Sequence, residues 1–312
     1  MSIATPTKDE RDKSQPDILK QVGDTPLIEI KNVTRHLPDS IRVFAKLESF
    51  NPGGSVKDRP ALRMIQVGEQ SGELTQGKTI LDATSGNTGI ALAMIGAAKG
   101  YDVELVMPEN VSSERKIMLK AYGAKVIYSD PLDGSDGAII LAKEIRAKNP
   151  EKYFVPDQYN NPENWRAHYF GTAEEIIRDT EGKVTDFLAT VGTSGTLTGN
   201  SRRLKEFNPA INTFGIQPSD PFHGLEGLKH IESSIVPGIY DLSFEKSTIF
   251  VGTDESYDMV RQLARQEGLF LGLSSGAAML GVLEYAKTIT EGYIVTIFPD
   301  NGEKYFSSRL WG

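Results

Sequence analysis

The segment Asn51-Pro-Gly-Gly-Ser-Val-Lys57-Asp-Arg-Pro60 holds the lysine best placed for chemistry. Ser55 with Asp58 three residues later has the form of a capping box, which predicts Ser55 as the N-cap of a helix running through Arg63 and Met64. Lys57 then falls in the first helical turn, where the positive end of the dipole disfavours an ammonium. An easily deprotonated lysine suits Schiff-base chemistry, because only the neutral amine attacks a carbonyl carbon. Taken alone, the segment favours an ordinary exposed lysine. Two further loops change the balance. Thr84-Ser-Gly-Asn-Thr-Gly89 follows an apolar run and opens a helical pattern, gathering backbone N–H groups and three hydroxyls at a helix N-terminus suited to a carboxylate. Gly192-Thr-Ser-Gly-Thr196 repeats the arrangement, with two glycines that permit close backbone approach to a second anion. Either loop by itself also reads as a tight strand-to-helix turn. Together with Lys57 they describe a ligand that needs a lysine, a carboxylate site and a phosphate site.

Pyridoxal 5′-phosphate joined to an amino acid has those three needs. The stretches 51–60, 84–89 and 192–196 and the turn Gly272-Leu-Ser274-Ser-Gly-Ala277 resemble the cysteine synthase and cystathionine β-synthase family, the fold-type II pyridoxal phosphate enzymes. The likeness is strongest to the cysteine synthase B branch, including its O-phosphoserine-using members, and runs from Val22-Gly-Asp-Thr-Pro26 to Tyr305. It implies that Lys57 is catalytic, bound to the cofactor as an imine and later moving the substrate's α-proton. It implies further that Asn87 hydrogen-bonds the cofactor's 3′-oxygen, that Gly192, Thr193, Ser194, Gly195 and Thr196 hold its phosphate, and that Ser274 faces the pyridine nitrogen. Thr84, Ser85, Thr88 and Gln158, the last in a Gln-Tyr-Asn-Asn-Pro stretch, would bind the substrate carboxylate. Where phosphoserine-using relatives place an arginine on the substrate phosphate, Lys229 is the basic residue that aligns, and a lysine offers a point charge in place of a bidentate fork.

The implied activity is that of a pyridoxal phosphate-dependent transferase, a cysteine synthase replacing the β-substituent of O-phosphoserine or O-acetylserine with a sulfur nucleophile. The route runs through α-aminoacrylate to L-cysteine. A neutral serine at the ring nitrogen leaves the ring a weaker electron sink than an aspartate would, which favours expulsion of a β-group over transamination or racemisation. Two alternatives stand beside it: a cystathionine β-synthase acting on serine and homocysteine, and a non-catalytic ligand-binding scaffold on the same fold. The partners implied are a small amino-acid substrate and a sulfur donor, and the family is commonly homodimeric.

Composition narrows the field independently. Thirty-four basic against 42 acidic side chains give a net charge of −8 over 312 residues, which argues against nucleic acid as a partner. The absence of cysteine removes disulfides, thiolate metal ligands and thiol nucleophiles. The four histidines show no metal spacing, and His168 and Trp165 are expected to pack on a helix, so no metal is assigned. A literal P-loop match, Gly72-Glu-Leu-Thr-Gln-Gly77-Lys78-Thr79, follows a helical stretch and leads into a strand, the reverse of the order a phosphate-cradling loop requires. The longest small-and-apolar stretch, 90–98, is far short of a bilayer span and the first thirteen residues are polar, so a soluble cytoplasmic protein without membrane contact is expected.

The elements that must position these residues follow the alternation of an α/β fold, with mostly parallel, twisted sheets flanked by helices. Strands are predicted at 79–83, 103–107 and 125–128, with helices at 88–99 and 113–122 closed by Gly100 and Gly123. A second series has strands at 187–191, 213–216 and 293–298 and helices at 197–207, 256–267 and 275–287. Prolines 150, 156 and 162 mark a seam at 149–164. The expected organisation is the two-domain fold-type II architecture, a smaller substrate-binding lobe at 46–154 and a larger cofactor-binding lobe from 1–45 and 155–312. Residues 1–20 read as a mobile start or an arm across a partner subunit.

Overall fold

The computed structural model describes residues 16–84, 86–109, 111–130, 132 and 134–311, so most of the N-terminal arm lies outside the described residues. Two sheets organise the chain. One has four parallel strands in the order β5-β4-β3-β6, formed by β3 (Thr79–Ala83), β4 (Val103–Pro108), β5 (Lys125–Ser129) and β6 (Tyr153–Phe154). The other has six strands in the order β1-β2-β10-β7-β8-β9: β1 (Leu27–Ile30), β2 (Ile41–Leu47), β7 (Asp186–Thr190), β8 (Asn212–Pro218), β9 (Ser247–Val251) and β10 (Gly292–Phe298). Only β1 runs antiparallel to its neighbour.

β4 is buried along its whole length and β10 over its last five residues, as expected of strands covered on both faces and written as apolar runs. Helices α1 (Asp58–Ser71), α2 (Asn87–Lys99), α3 (Ser113–Ala121) and α4 (Gly134–Lys148) accompany the smaller sheet. The larger one carries α5 (Glu163–Ala167), α6 (Ala173–Asp179), α7 (Gly195–Phe207), α8 (Thr253–Gln262) and α9 (Leu273–Ala286). Gly100 and Gly123 follow α2 and α3 with φ of 78° and 79°, the left-handed geometry expected of them. Lys78 lies between α1 and β3 and bonds the Glu73 carbonyl at 2.8 Å, so the P-loop match is a polar connection.

The order of the strands fixes where a site can open. In the smaller sheet the chain leaves β3 for β4 and β5, then returns to place β6 on the other side of β3. In the larger sheet it runs β7, β8, β9 and returns with β10 on the other side of β7. Each sheet therefore reverses at one strand, and the crevice beyond the carboxyl end of such a strand is where α/β sheets bind ligands. The loop after β3 begins at Thr84 and the loop after β7 leads to Gly192, so both loops expected to bind anions sit at a reversal point.

Several elements lie outside the strands and helices the pattern specifies. β2, Ile-Arg-Val-Phe-Ala-Lys-Leu, hides behind its charges: Lys46 is fully buried, pairing with Glu175 at 2.8 Å and Asp179 at 3.3 Å. β9 is an edge strand with only Val251 buried, and α4 has no strong apolar stripe. His168 begins a single π-helical turn, His168–Thr172, between α5 and α6, where an ordinary helix was expected. A second such turn, Leu263–Glu267, ends α8. Among the described residues no helix is long and apolar enough to cross a membrane.

Candidate active site

Lys57 lies at the head of α1, but not as its first turn. The helix starts at Asp58, Lys57 occupies the N-cap position, and Ser55 Oγ accepts the Lys57 N–H at 3.2 Å. The expected capping box does not form, because the Asp58 carboxylate turns back to the Gly53 N–H. The physical basis for a reactive amine changes accordingly: burial pushes the Lys57 pKa down, and the Asp300 carboxylate partly opposes it. A buried ion network fixes the head of the helix. Arg59 Nε reaches Glu48 at 2.7 Å and Arg59 Nη1 reaches Glu175 at 2.6 Å, tying α1 to the end of β2 and to α6.

The first anion loop opens α2. Thr84 and Asn87 flank its start, and Thr88 Oγ1 donates to Gln158 Oε1 at 2.8 Å. Ser85 lies outside the described residues. The second loop opens α7, with Ser194 held at φ 71°. A β-carbon on Gly192 would lie 2.3 Å from the Gly227 carbonyl oxygen, and one on Gly195 would lie 2.0 Å from Asn164 Oδ1, so the turn fits only without side chains there. Asn164, which sequence reasoning missed, joins the two regions: its Nδ2 donates to the Gln158 carbonyl at 2.6 Å and to Thr193 Oγ1 at 3.1 Å. Thr196 Oγ1 lies 3.4 Å from His168 Nε2. Ser274 is the second residue of α9, with Gly272 at the N-cap position, and is only 7 % exposed.

The described residues among those expected at the site line one cavity of about 520 Å³: Lys57, Thr84, Asn87, Thr88, Gln158, the turn from Gly192 to Thr196, Ser274 and Lys229. Lys229 is half-buried, with its Nζ 5.3 Å from the Tyr159 ring centroid. The same wall includes Arg115, Glu226 and Tyr305, none of which the sequence pattern singled out. Arg115 Nη2 pairs with Glu226 at 2.7 Å, and its guanidinium lies 5.5 Å from the Tyr305 ring, linking α3 to segments of the larger sheet. Asp300 and Lys304 complete the surroundings behind Asn87. They belong to Asp300-Asn-Gly-Glu-Lys304-Tyr305, a polar run just beyond β10; a polar run at the carboxyl end of a parallel strand was the available signal.

This donor set fits pyridoxal phosphate: a lysine with a lowered pKa, a glycine-lined turn at one helix start, hydroxyls at another, and a neutral hydroxyl on a third. Residues 18–300 match the pyridoxal-phosphate dependent enzyme family. The chain is 53 % identical to the cysteine synthase of Aquifex aeolicus over 304 residues, covering 96 % of this chain and 93 % of that one. It is 41 % identical to cysteine synthase B of Pseudomonas aeruginosa over 296 residues, covering 95 % and 97 %. The crystal structure of a cysteine synthase from Entamoeba histolytica superposes with a TM-score of 0.91 at 37 % identity, over all of this chain and 94 % of the other. The chain belongs to the pyridoxal-phosphate dependent enzymes, with the fold of the fold-type II cysteine synthases.

Proposed function

We propose that this protein is a pyridoxal phosphate-dependent cysteine synthase, which replaces the β-substituent of an activated L-serine with a sulfur nucleophile and releases L-cysteine. The observation that carries the reading is the convergence on one cavity of Lys57, the two anion-binding turns and the neutral Ser274. Similarity to cysteine synthases over nearly the whole chain supports it. When bound, the cofactor supplies an electron-withdrawing ring conjugated to the substrate nitrogen, which acidifies the α-carbon and allows a β-group to leave.

The chain's own residues do the rest. The turn from Gly192 to Thr196 presents backbone N–H groups and hydroxyls to the phosphate at the positive end of α7. Thr84, Ser85, Thr88 and Gln158 receive the substrate carboxylate, with Asn164 keeping Gln158 in step with Thr193. Burial lowers the Lys57 pKa, which eases loss of the ammonium proton, and the amine moves the α-proton once the substrate has taken its place. Ser274, at the start of α9, gives the ring nitrogen a hydroxyl and no charge, and the helix dipole further disfavours a proton there. Asn87 donates to the 3′-oxygen, and Lys229 faces the leaving group. The division into a substrate-binding lobe at 46–154 and a cofactor-binding lobe from the remainder, a homodimeric assembly and a cytoplasmic location belong to the same proposal.

The test is to purify the protein, record its visible absorption, and supply O-acetylserine, O-phosphoserine or serine with sulfide or homocysteine. Cysteine formed from an O-substituted serine and sulfide is the expected result. Cystathionine from serine and homocysteine as the faster reaction would replace this reading with the cystathionine β-synthase one. A colourless, inactive protein that takes up no cofactor would leave only the scaffold.

A further inference from the structure

Asn87 is held from two sides by charged groups to which the proposed chemistry gives no task. Lys304 Nζ donates to Asn87 Oδ1 at 2.9 Å, while Asn87 Nδ2 donates to Asp300 Oδ2 at 2.7 Å. Both charges are buried, Lys304 at 1 % exposure and Asp300 at 0 %. The lysine's remaining protons reach the carbonyl oxygens of Gly54 at 2.8 Å and Gly53 at 3.4 Å, so each of its three donors has an acceptor. Asp300 Oδ2 also accepts from the Tyr305 hydroxyl at 2.8 Å.

The two ends of an asparagine amide are chemically opposite, and an oxyanion accepts only from the nitrogen end. The terminal torsion of the side chain is broad and roughly two-fold, so an unassisted amide interconverts readily. A flip here would bring Nδ2 against the Lys304 ammonium and Oδ1 against the Asp300 carboxylate, two repulsive contacts out of reach of water. In the observed orientation one Nδ2 proton is spent on Asp300, and the other is left for the cavity that Asn87 lines.

We infer that Lys304 is a positioning residue, which locks the Asn87 amide in the one orientation that offers an N–H to the cofactor's ring oxygen. The inference rests on the proposed contact between Asn87 and that oxygen. Lys304 also anchors the carbonyls of the loop leading to Lys57, so its action through Asn87 must be separated from general support of that loop.

A double-mutant comparison separates them, with two readouts: the visible absorption band of the holoprotein and the dissociation constant of pyridoxal phosphate from the apoprotein. Asn87→Ala and Lys304→Met are each expected to displace the band in the same direction and to weaken cofactor binding about tenfold, the loss of one buried hydrogen bond. The double variant is expected to match Asn87→Ala alone. A Lys304→Met protein with the wild-type band and affinity, whatever its melting temperature, would overturn the inference, as would effects that add in the double variant. If Lys304→Met does not fold, Lys304→Gln carries the same comparison, and any change it makes must vanish on the Asn87→Ala background. Asn87→Ala with a wild-type band and affinity overturns the Asn87 contact and this inference together. A displaced Asn87→Ala band with a silent Lys304→Met overturns the Lys304 role alone.

Discussion

At the scale of single residues, the proposed chemistry depends on two side chains, Lys57 and Ser274, made unusual by their surroundings. Burial lowers the pKa of Lys57, so the amine gives up its proton more readily than an exposed lysine does. Lys57→Ala is expected to lose β-replacement by at least about a thousandfold, since both nucleophile and proton carrier disappear. The phosphate turn should still retain cofactor non-covalently, measurable by equilibrium dialysis; a loss of less than about tenfold in steady-state rate would return Lys57 to the status of an ordinary lysine. Ser274 contributes a neutral hydroxyl. Ser274→Ala should slow turnover by no more than about tenfold, the worth of one hydrogen bond. Ser274→Asp should slow it further, because a carboxylate would hold a proton on the ring nitrogen and favour carbanion chemistry over elimination. An aspartate variant as fast as wild type would contradict that account.

At the scale of elements, the helix starts and one π-helical turn carry the site. Gly195 sits where α7 meets Asn164, and a β-carbon there would fall 2.0 Å from Asn164 Oδ1. Gly195→Ala must displace Asn164, which also holds Gln158 and Thr193, at a cost of about 1–3 kcal/mol for the overpacking. Weaker binding of both cofactor and substrate is the expected outcome, read from titrations of each. The turn His168–Thr172 carries His168 into the interior, with Nδ1 3.0 Å from Thr172 Oγ1. Burial first, then the positive charges of Arg59 and Lys57, hold its pKa well below 6.5 against the pull of Glu175. Below pH 6.5 the unfolded chain binds a proton at this residue that the folded chain refuses. Stability from a neutral His168 is therefore complete above that pH and falls by about 1.4 kcal/mol per unit as pH drops toward the depressed folded value. Asp58 and Asp82, both raised to about 7 by burial, act in the opposite sense, since the folded chain holds their protons more tightly. The informative measurement is therefore the difference between wild type and His168→Gln in urea unfolding from pH 7 to 5. The wild type should lose stability faster than the variant; parallel curves would refute a neutral buried His168.

At the scale of the whole molecule, the cavity exists because two sheets reverse their strand order at loops that face one another, and charged side chains span the join. Arg59 bonds residues of β2's end and of α6, and Arg115 on α3 reaches Glu226 in the loop between β8 and β9. Lys229 lies in that same loop, its backbone N–H held by the Val191 carbonyl at 2.8 Å just ahead of the phosphate turn. A cation there suits an anionic leaving group. O-phosphoserine is expected to serve at least as well as O-acetylserine, and Lys229→Ala to impair the phosphorylated donor selectively. One charge-assisted contact is worth about 1.5–3 kcal/mol, so the selective loss in kcat/KM should be about ten- to a hundredfold. Equal losses with the two donors, or none with either, would remove Lys229 from the leaving-group site and favour O-acetylserine.

Much of this was legible in the chain alone, because local chemistry wrote it there. Apolar runs specify strands buried on both faces, Gly100 and Gly123 stop helices by accepting positive φ, and the two loops rich in glycine and hydroxyls fall at helix starts. What pattern could not supply are groups whose role depends on a partner distant in sequence. Nothing in the pattern marks Lys46, Arg59 and Lys304 as buried, since burying an unpaired charge is prohibitive, and only the folded chain provides the carboxylates and carbonyls that make it tolerable. The capping box at Ser55 failed for a local reason: the Asp58 carboxylate accepts instead from the Gly53 N–H, five residues back. Asn164 gained its place through Thr193, 29 residues on, and Asp300 through Asn87, 213 residues away in sequence. The sequence thus determined which residues were candidates for the chemistry, because side-chain type and local spacing are written in it, and the tertiary structure decided which of them share one cavity and which buried charges surround them.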